Sequence, residues 1–430
     1  MAGLSDTAEF QAGKVLRKLN AGLYARAVWP EDRAFYMTHS FTLDEEVSEE
    51  ALKKALDQTL QVYPYMTLAA VKKDKAYVLA ENDLDFVICR TGERIEPSTK
   101  EGNFHALTIC YEGRTLCFYV DHVLTDGLGW KMVLQTFFYY YYCALDGADY
   151  PVPAGVRTVS DGVAPDEQED AYMKVPAAMP KGVIAGMVDK DFFICPEYPD
   201  GNDELSAGDC GHYCIEVPSG EYMSYAKSVG GSPNSVLIQI LGRSMQSLHP
   251  GNQQKIAFWI PVSIRPAMGN NNSLLHQVVP TIWYADAEMF SADDSAAGTN
   301  RLIRSHLKEF CDPGNIRKQC GMMHMIVEGI RRSVYTGRLG KFTSQKADKD
   351  QYSVLASSLG TLAAGEYGSR IHMDAFRVMP GRNFHVYLME TGGRFYISLS
   401  FGAKTEVYAK AAAEYMSKLG MQGVSWREVS

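Results

Sequence analysis

Hydrophobic residues follow two spacings along this chain. Apolar side chains three or four positions apart predict helices, and short apolar runs rich in β-branched and aromatic residues predict strands. FYMTHSFTL at 35–43 has the strand pattern. SEEALKKALDQTLQVYP, just after it, has the helix pattern, with Ser48 as the N-cap and Pro64 as the stop.

The same two spacings recur to the C-terminus. Helices are predicted at 7–20, 48–64, 128–145, 232–250, about 293–335 and 405–420. Strands are predicted around 35–43, 66–72, 75–80, 84–88, 255–266, 352–357, 370–379, 383–390 and 394–401. Both halves show a loose order of helix, strands, hairpin and helix, which suggests two related lobes.

The stretch at 104–122 predicts a hairpin that leads to a candidate site. FHALTICYEGRTLCFYVDH contains two apolar runs joined at Glu112-Gly113, which is a hairpin signal. The second run ends at His122, and the sequence HVLTDG then leads into the helix predicted at 128–145. His122 is therefore expected at the end of a strand, where the chain turns into a helix.

Residues 147–210 have a different composition from the rest of the chain. They are rich in Pro, Gly and Asp, which predicts a long and partly irregular crossover. A chain of 430 residues is also too long for one simple core. We therefore expect an N-terminal lobe at 1–150, a crossover at 151–210 and a C-terminal lobe at 211–430.

Charge and hydropathy exclude several kinds of partner. The net charge of −9 argues against nucleic acid or an anionic membrane as the main partner. No apolar run is long enough to span a bilayer, and MAGLSDTAEF lacks the layout of a signal peptide. Nine scattered cysteines without a CxxC pair suit reduced thiols, so we expect a cytoplasmic protein.

No metal site is expected from the sequence. The nearest approach to a ligand set is Cys311, Cys320 and His324, which lacks a fourth ligand and paired spacing. Structural zinc sites need a closed set of four ligands. A GxSxG nucleophile elbow is also missing, which argues against a serine hydrolase.

His122 is the candidate catalytic residue. A histidine at a strand end can project into a cleft, and its neutral form can take a proton from a hydroxyl or amine at cellular pH. Asp126 would hold the turn, most simply by pairing with an arginine, and Gly127 would let the backbone enter the helix without a Cβ clash. A fixed base without a nucleophilic side chain suits direct transfer of an acyl group from a thioester.

The alternative is a structural histidine. With ten histidines and many aspartates, about one HxxxD is expected by accident, so the spacing alone is weak evidence. Here the pattern occurs once, between a hairpin strand and a helix, with a DG pair at its end. Position and neighbours together favour the catalytic interpretation.

HVLTDG resembles the HxxxDG motif of the chloramphenicol acetyltransferase-like superfamily, which includes peptide-synthetase condensation domains and alcohol acyltransferases. The strand and helix after Ala25 resemble the family's opening elements. IPVSIRPAMGNNN resembles its PV-x-x-R strand and loop, and VLASSLGTL resembles its late SN-x-G strand. The resemblance covers most of the chain in order.

This resemblance implies an α/β (α+β) fold of two lobes, each a mixed sheet flanked by helices, with the active-site tunnel between them. His122 would be the general base. Asp126 would be structural, paired with Arg265 in PVSIRP, and Gly127 would be a backbone hinge. Ser357 or Ser358 would be a candidate donor to the tetrahedral oxyanion.

The resemblance also implies the substrates. The donor would be acyl-CoA or a phosphopantetheine thioester on an acyl carrier protein, and the acceptor a small alcohol or amine, with no permanently bound cofactor. Asp121 stands where condensation domains have a second histidine, so the standalone alcohol acyltransferases are the nearer relatives. Two alternatives remain: a carrier-dependent condensation enzyme and a catalytically inactive scaffold. A monomer is expected, because a chain of this length can close its site internally.

Overall fold

The computed structural model describes residues 15–18, 36–73, 76–90, 94–179, 191–195, 211–291, 295–336, 352–378, 384–401 and 405–429. The strands are β1 (Val15–Lys18), β2 (Tyr36–Leu43), β3 (Ala69–Lys73), β4 (Ala76–Ala80), β5 (Ile88–Cys89), β6 (Leu107–Glu112), β7 (Thr115–Asp121), β8 (Gly211–Pro218), β9 (Ile256–Ser263), β10 (Val278–Ala285), β11 (Val354–Thr361), β12 (Ile371–Val378), β13 (Phe384–Thr391), β14 (Arg394–Phe401) and β15 (Ser425–Glu428). The α-helices are α1 (Glu49–Val62), α2 (Gly127–Asp146), α3 (Ser219–Ser228), α4 (Pro233–Leu248), α5 (Arg265–Met268), α6 (Ala296–Phe310), α7 (Pro313–Thr336) and α8 (Thr405–Lys418).

The strands form three sheets. The largest has the order β10-β9-β11-β13-β14-β8-β15 and is mixed, because β11 runs parallel to both of its neighbours. The second has the order β12-β2-β7-β6-β5. The third contains β1, β4 and β3. The fold is therefore mixed α/β, as the sequence predicts.

Helices α1 and α2 cover one face of the five-stranded sheet. The α1 helix begins after Ser48, whose side chain accepts a hydrogen bond from the Ala51 backbone, as its sequence predicts. Phe41 on β2 meets Phe138 on α2 at 5.0 Å between ring centroids. Edge-to-face ring contacts of this kind add to the free energy gained by burying apolar surface.

The seven-stranded sheet buries both of its faces. The buried apolar residues at even positions of β11 and β13, including Ala356 and Val386, belong to a core cluster with residues of α4 and α8. Leu355, Leu359 and Tyr387 point the other way and belong to the cluster built around α1 and α2. The two larger sheets thus share one continuous hydrophobic core.

Strand β12 connects the two halves of the chain. It lies late in the sequence, but it pairs antiparallel with β2, from Ile371 opposite Leu43 to Val378 opposite Met37. Its Phe376 backbone N donates a hydrogen bond of 3.0 Å to Ser398 Oγ on β14. The boundaries 1–150, 151–210 and 211–430 stay a prediction, and β12 lies in the sheet of the first part.

Several local predictions differ from the structure, and the strand predicted around 84–88 is limited to Ile88–Cys89 (β5). The helix predicted at 7–20 is wrong at Val15–Lys18, which forms β1 and pairs with β4; the rest of that stretch lies outside the described residues. The reason is tertiary, because VLRK satisfies its backbone on a neighbouring strand. The hairpin turn is one residue later than predicted, at Gly113-Arg114, with Glu112 opposite Thr115.

Candidate active site

The turn that carries His122 is held by the residues on both sides of it. Strand β7 ends at Asp121, whose carboxylate accepts hydrogen bonds from Ser98 Oγ (2.7 Å) and Val123 N (3.1 Å). Asp126 then caps α2, accepting a hydrogen bond from Gly129 N at 2.8 Å. His122 is thus fixed between the last strand residue and the first helix turn.

The imidazole of His122 has one nitrogen committed to the backbone. Its Nδ1 lies 2.8 Å from the Thr125 carbonyl oxygen. A carbonyl can only accept, so we assign the hydrogen of the neutral ring to Nδ1. The lone pair is then on Nε2, the nitrogen that a general base needs. The ring is half-buried rather than sealed in the core.

The structure brings Asp126 and Arg265 together in a bidentate ion pair. Arg265 Nη1 and Nη2 donate to the two carboxylate oxygens at 2.9 and 2.8 Å. Arg265 also donates to the carbonyls of Ser273 (2.9 Å) and Leu275 (3.0 Å). Both side chains are buried, at 2% and 5% exposure, so the pair is stable only because its hydrogen bonds are satisfied.

Burial and charge set the protonation states here. Burial lowers the pKa of His122 below its usual 6.5, and the nearby Asp126 and Asp121 carboxylates offset this only in part. Asp121 therefore does not raise the net pKa of the ring. Burial alone would raise the pKa of Asp126, but Arg265 outweighs it, so the pKa of Asp126 is lowered. At neutral pH the site holds a neutral imidazole above a charged ion pair.

Gly127 is needed for close packing rather than for an unusual backbone angle. A Cβ at this position would lie 2.8 Å from Leu359 Cδ2 and 3.5 Å from Phe376. The role of Gly127 as a backbone hinge stays a prediction, and its lack of a Cβ lets the first turn of α2 pack directly on β11. Gly129 is tighter still, with the Leu274 carbonyl oxygen 2.5 Å from its would-be Cβ.

The two candidate serines lie on opposite faces of β11. Ser357 shares the face of Leu355 and Leu359, which points toward α2, and it is half-buried. Ser358 alternates to the other face, and its hydroxyl accepts a hydrogen bond from Gly360 N at 3.2 Å. Of the two, Ser357 lies on the face of β11 that packs against α2, and the role of either serine stays a prediction.

A second histidine, which the sequence analysis did not select, lies beside His122. The ring centroids of His122 and His276 are 5.3 Å apart, tilted by 45°. His276 stands just before β10, in a stretch, LLHQVV, that carries no recognisable site motif. Only the tertiary contact reveals it.

Other features of the described residues lie apart from this site. A surface cavity of about 460 Å³ is lined by residues that include Thr361, Glu390 and Gly392 but not His122. Within the described ranges, no group of three potential metal ligands clusters together. None of the described helices is long and apolar enough to cross a membrane.

No family model and no curated protein sequence matches this chain. Solved structures do match it. Polyketide synthase associated protein 5 from Mycobacterium tuberculosis aligns with a TM-score of 0.65 at 12% identity, over 94% of this chain and 98% of that one. TRI101 of F. graminearum, complexed with coenzyme A and deoxynivalenol, aligns with a TM-score of 0.57 at 14% identity, over the same shares.

A third match is the first condensation domain of the CDA synthetase. Its TM-score is 0.58 at 10% identity, over 98% of this chain and all of that domain. Identities this low establish the fold and nothing finer. The expected mixed α/β fold, shared with TRI101 and the condensation domain, is confirmed, while the two lobes and the tunnel between them stay a prediction.

Proposed function

On the premise of a chloramphenicol acetyltransferase-like fold, we propose that this protein is an acyltransferase. It moves an acyl group from a thioester to a hydroxyl or amine acceptor, with His122 as the general base. One observation carries the proposal: His122 Nδ1 lies 2.8 Å from Thr125 O, which assigns the ring hydrogen to Nδ1 and the lone pair of the proton acceptor to Nε2.

The chemistry needs no covalent enzyme intermediate. As the acceptor attacks the thioester carbonyl, His122 Nε2 takes its proton, and the carbonyl electrons move to oxygen. When the C–S bond breaks, the electrons on oxygen re-form the carbonyl, and the imidazolium returns its proton to the departing thiolate. Because the pKa of His122 is lowered, the imidazolium is a short-lived acid that gives the proton up readily.

The remaining candidate residues have supporting roles in this proposal. Asp126 and Arg265 fix the turn rather than relay a proton, because both carboxylate oxygens are already committed to Arg265 and two backbone N–H groups. Gly127 keeps α2 close to β11. Ser357 is the candidate donor to the oxyanion, and Ser358 the weaker one.

The donor is acyl-CoA or a carrier-bound phosphopantetheine thioester, and no resident metal or cofactor takes part. TRI101 was solved with coenzyme A, which supports an acyl-CoA donor, and the match to a condensation domain keeps the carrier-bound thioester as the alternative. We further propose a cytoplasmic monomer, in keeping with nine cysteines that are scattered along the sequence without a CxxC pair.

The test is thiol release from a panel of acyl-CoA thioesters, with alcohols and amines as acceptors. Wild type is compared with His122→Ala. The control is His324→Ala, which removes a half-buried histidine that also bonds a backbone carbonyl, Val175 O. We expect His122→Ala to lower kcat/KM by about 10²- to 10⁴-fold while the control keeps wild-type rates.

Other outcomes would point to the alternatives. Equal background release by wild type and His122→Ala would favour a non-catalytic scaffold. Activity only with a carrier-bound acyl group would favour a condensation-type enzyme. A burst of thiol with an accumulating acyl-enzyme would contradict direct transfer.

A further inference from the structure

His276 is held in place by the same ion pair that holds His122. The carbonyl before it, Leu275 O, accepts a hydrogen bond from Arg265 Nη2 at 3.0 Å. The backbone N after it, on Gln277, donates to Asp126 Oδ2 at 2.8 Å. One buried pair therefore anchors the backbone of both histidine-bearing segments, whose rings have centroids 5.3 Å apart.

Tyr172 determines which nitrogen of His276 carries the hydrogen. Its hydroxyl donates its only hydrogen to Val278 O and accepts one from Val278 N at 2.8 Å. The same hydroxyl oxygen lies 3.5 Å from His276 Nδ1, and with its hydrogen already donated it can only accept there. We therefore assign the hydrogen of His276 to Nδ1 and the lone pair to Nε2, the same tautomer as in His122.

The second imidazole is uncharged at neutral pH. Burial, and then the neighbouring His122, lower the pKa of His276 to about 4. Neutral His276 offers a hydrogen-bond acceptor through Nε2, and it does not repel the proton that His122 gains during the reaction. Each of the two neighbouring rings thus has one nitrogen with a lone pair.

Resting on the proposed function, we propose that His276 Nε2 accepts a second hydrogen bond from the acceptor substrate. The site would then select acceptors that carry two donor hydrogens at the reacting end. A primary amine has both on one atom, and a vicinal diol has them on neighbouring oxygens. A monohydric alcohol has one, which His122 uses, so it leaves His276 without a partner.

The proton balance differs between the two acceptor classes. When a primary amine attacks, its lone pair forms the C–N bond, and the nitrogen becomes cationic with two hydrogens. One passes to His122 Nε2 and later to the thiolate; the other bonds to His276 Nε2 and stays in the amide. With a diol, the attacking hydroxyl gives its proton to His122, and the neighbouring hydroxyl only hydrogen-bonds to His276.

The kinetic test uses three acceptors of similar size: propylamine, propane-1,2-diol and propan-1-ol, each with the same acyl-CoA at mildly alkaline pH. The variant is His276→Phe, which keeps an aromatic ring without nitrogens, and the control is His324→Phe. We expect His276→Phe to lower kcat/KM about tenfold for the amine and the diol and to leave propan-1-ol nearly unchanged. Comparing the amine with the diol shows whether His276 accepts its hydrogen bond from a second N–H on the reacting atom or from a neighbouring hydroxyl.

A second measurement does not depend on turnover. Nitrogen-15 NMR of the histidine side chains assigns the tautomer of each ring, and we expect hydrogen on Nδ1 for both His122 and His276. Hydrogen on Nε2 of His276 would overturn the inference whether or not the protein is active.

In the kinetic test, equal losses of kcat/KM with all three acceptors would also overturn the inference, while leaving the proposed function intact. If wild type transfers acyl groups to none of a broad acceptor panel, the proposed function fails, and the substrate role of His276 fails with it.

Discussion

Two short segments each deliver a histidine to the candidate site, and they do so by different means. His122 is fixed mainly by its own turn, through Thr125 O and the cap formed by Asp126. His276 is fixed by contacts from distant parts of the chain: Arg265 and Asp126 hold its backbone, and Tyr172 lies against its ring.

The difference shows which kind of site residue a sequence can reveal. A residue fixed by its neighbours leaves a local pattern, as HVLTDG does. A residue fixed by long-range contacts leaves none, because its role depends on what folds against it. Substitutions that disturb both segments, or only one of them, can distinguish how each histidine is held.

Asp126→Asn should weaken both segments at once. The substitution leaves the buried Arg265 guanidinium without its counter-charge, so we expect a loss of about 3 to 5 kcal/mol in the free energy of unfolding. Activity should fall together with stability. Urea denaturation is the measurement, and Glu50→Gln, in an exposed ion pair with Lys54, is the control that should not shift the midpoint. A variant as stable as wild type would contradict the shared-anchor interpretation.

Gly127→Ala should affect the His122 segment alone. The new methyl group would meet Leu359 Cδ2, and we expect a loss of about 1 to 3 kcal/mol in unfolding free energy. Adding Leu359→Ala should recover the part of the unfolding free energy that the clash with Leu359 costs. A double-mutant cycle measures this part as the interaction energy between the two positions. Gly329→Ala is the control: this helical glycine has open space at its Cβ and should gain stability. A purely additive cycle would rule out the clash.

Tyr172→Phe should affect the His276 segment alone. Removing the hydroxyl leaves Val278 N and O without their buried partner, at a cost of about 1 to 2 kcal/mol in unfolding free energy. The nitrogen-15 signals of His276 should change, while those of His122 stay as in wild type. An equal change in the His122 signals would contradict this prediction, because it would show that Tyr172 also holds the His122 segment.

The pH dependence should report His122. Its folded-state pKa is below 6.5, so the neutral base persists as the pH falls through 6.5, and kcat/KM should start to decline only at lower pH. Stability has the corresponding sign: it is unaffected by this group above pH 6.5, and decreases below it because the unfolded chain takes up the proton first. An acid limb at or above pH 6.5 would contradict the lowered pKa.

Much of the fold was predictable because its signals are local. The α1 helix follows from its apolar spacing and Ser48 cap, and the β6–β7 hairpin from two apolar runs around a glycine. Strand β1 was not predictable, because VLRK becomes a strand only through pairing with β4. The partnership of β12 with β2 was hidden for the same reason, since nothing in IHMDAFRV specifies the sheet it joins.

The candidate site divides in the same way. Resemblance selected His122, Asp126, Gly127 and Arg265, and the structure pairs Asp126 with Arg265, 139 positions away. The resemblance did not select His276, and it did not reveal how tightly Gly129 is packed. Both features depend on the path of the segment around Leu274–His276. A choice between Ser357 and Ser358 requires knowing which face of the sheet each side chain occupies. An error of one residue in the strand register would exchange the two faces.

The late position of β12 also has a consequence for synthesis. The ribosome makes β2 more than three hundred residues before the strand that covers its edge, so the nascent five-stranded sheet stays open until Val378 has emerged. An uncovered edge of this kind readily pairs with another chain. A truncated protein ending before Ile371 should therefore aggregate, and a peptide with the sequence IHMDAFRV should rescue its solubility.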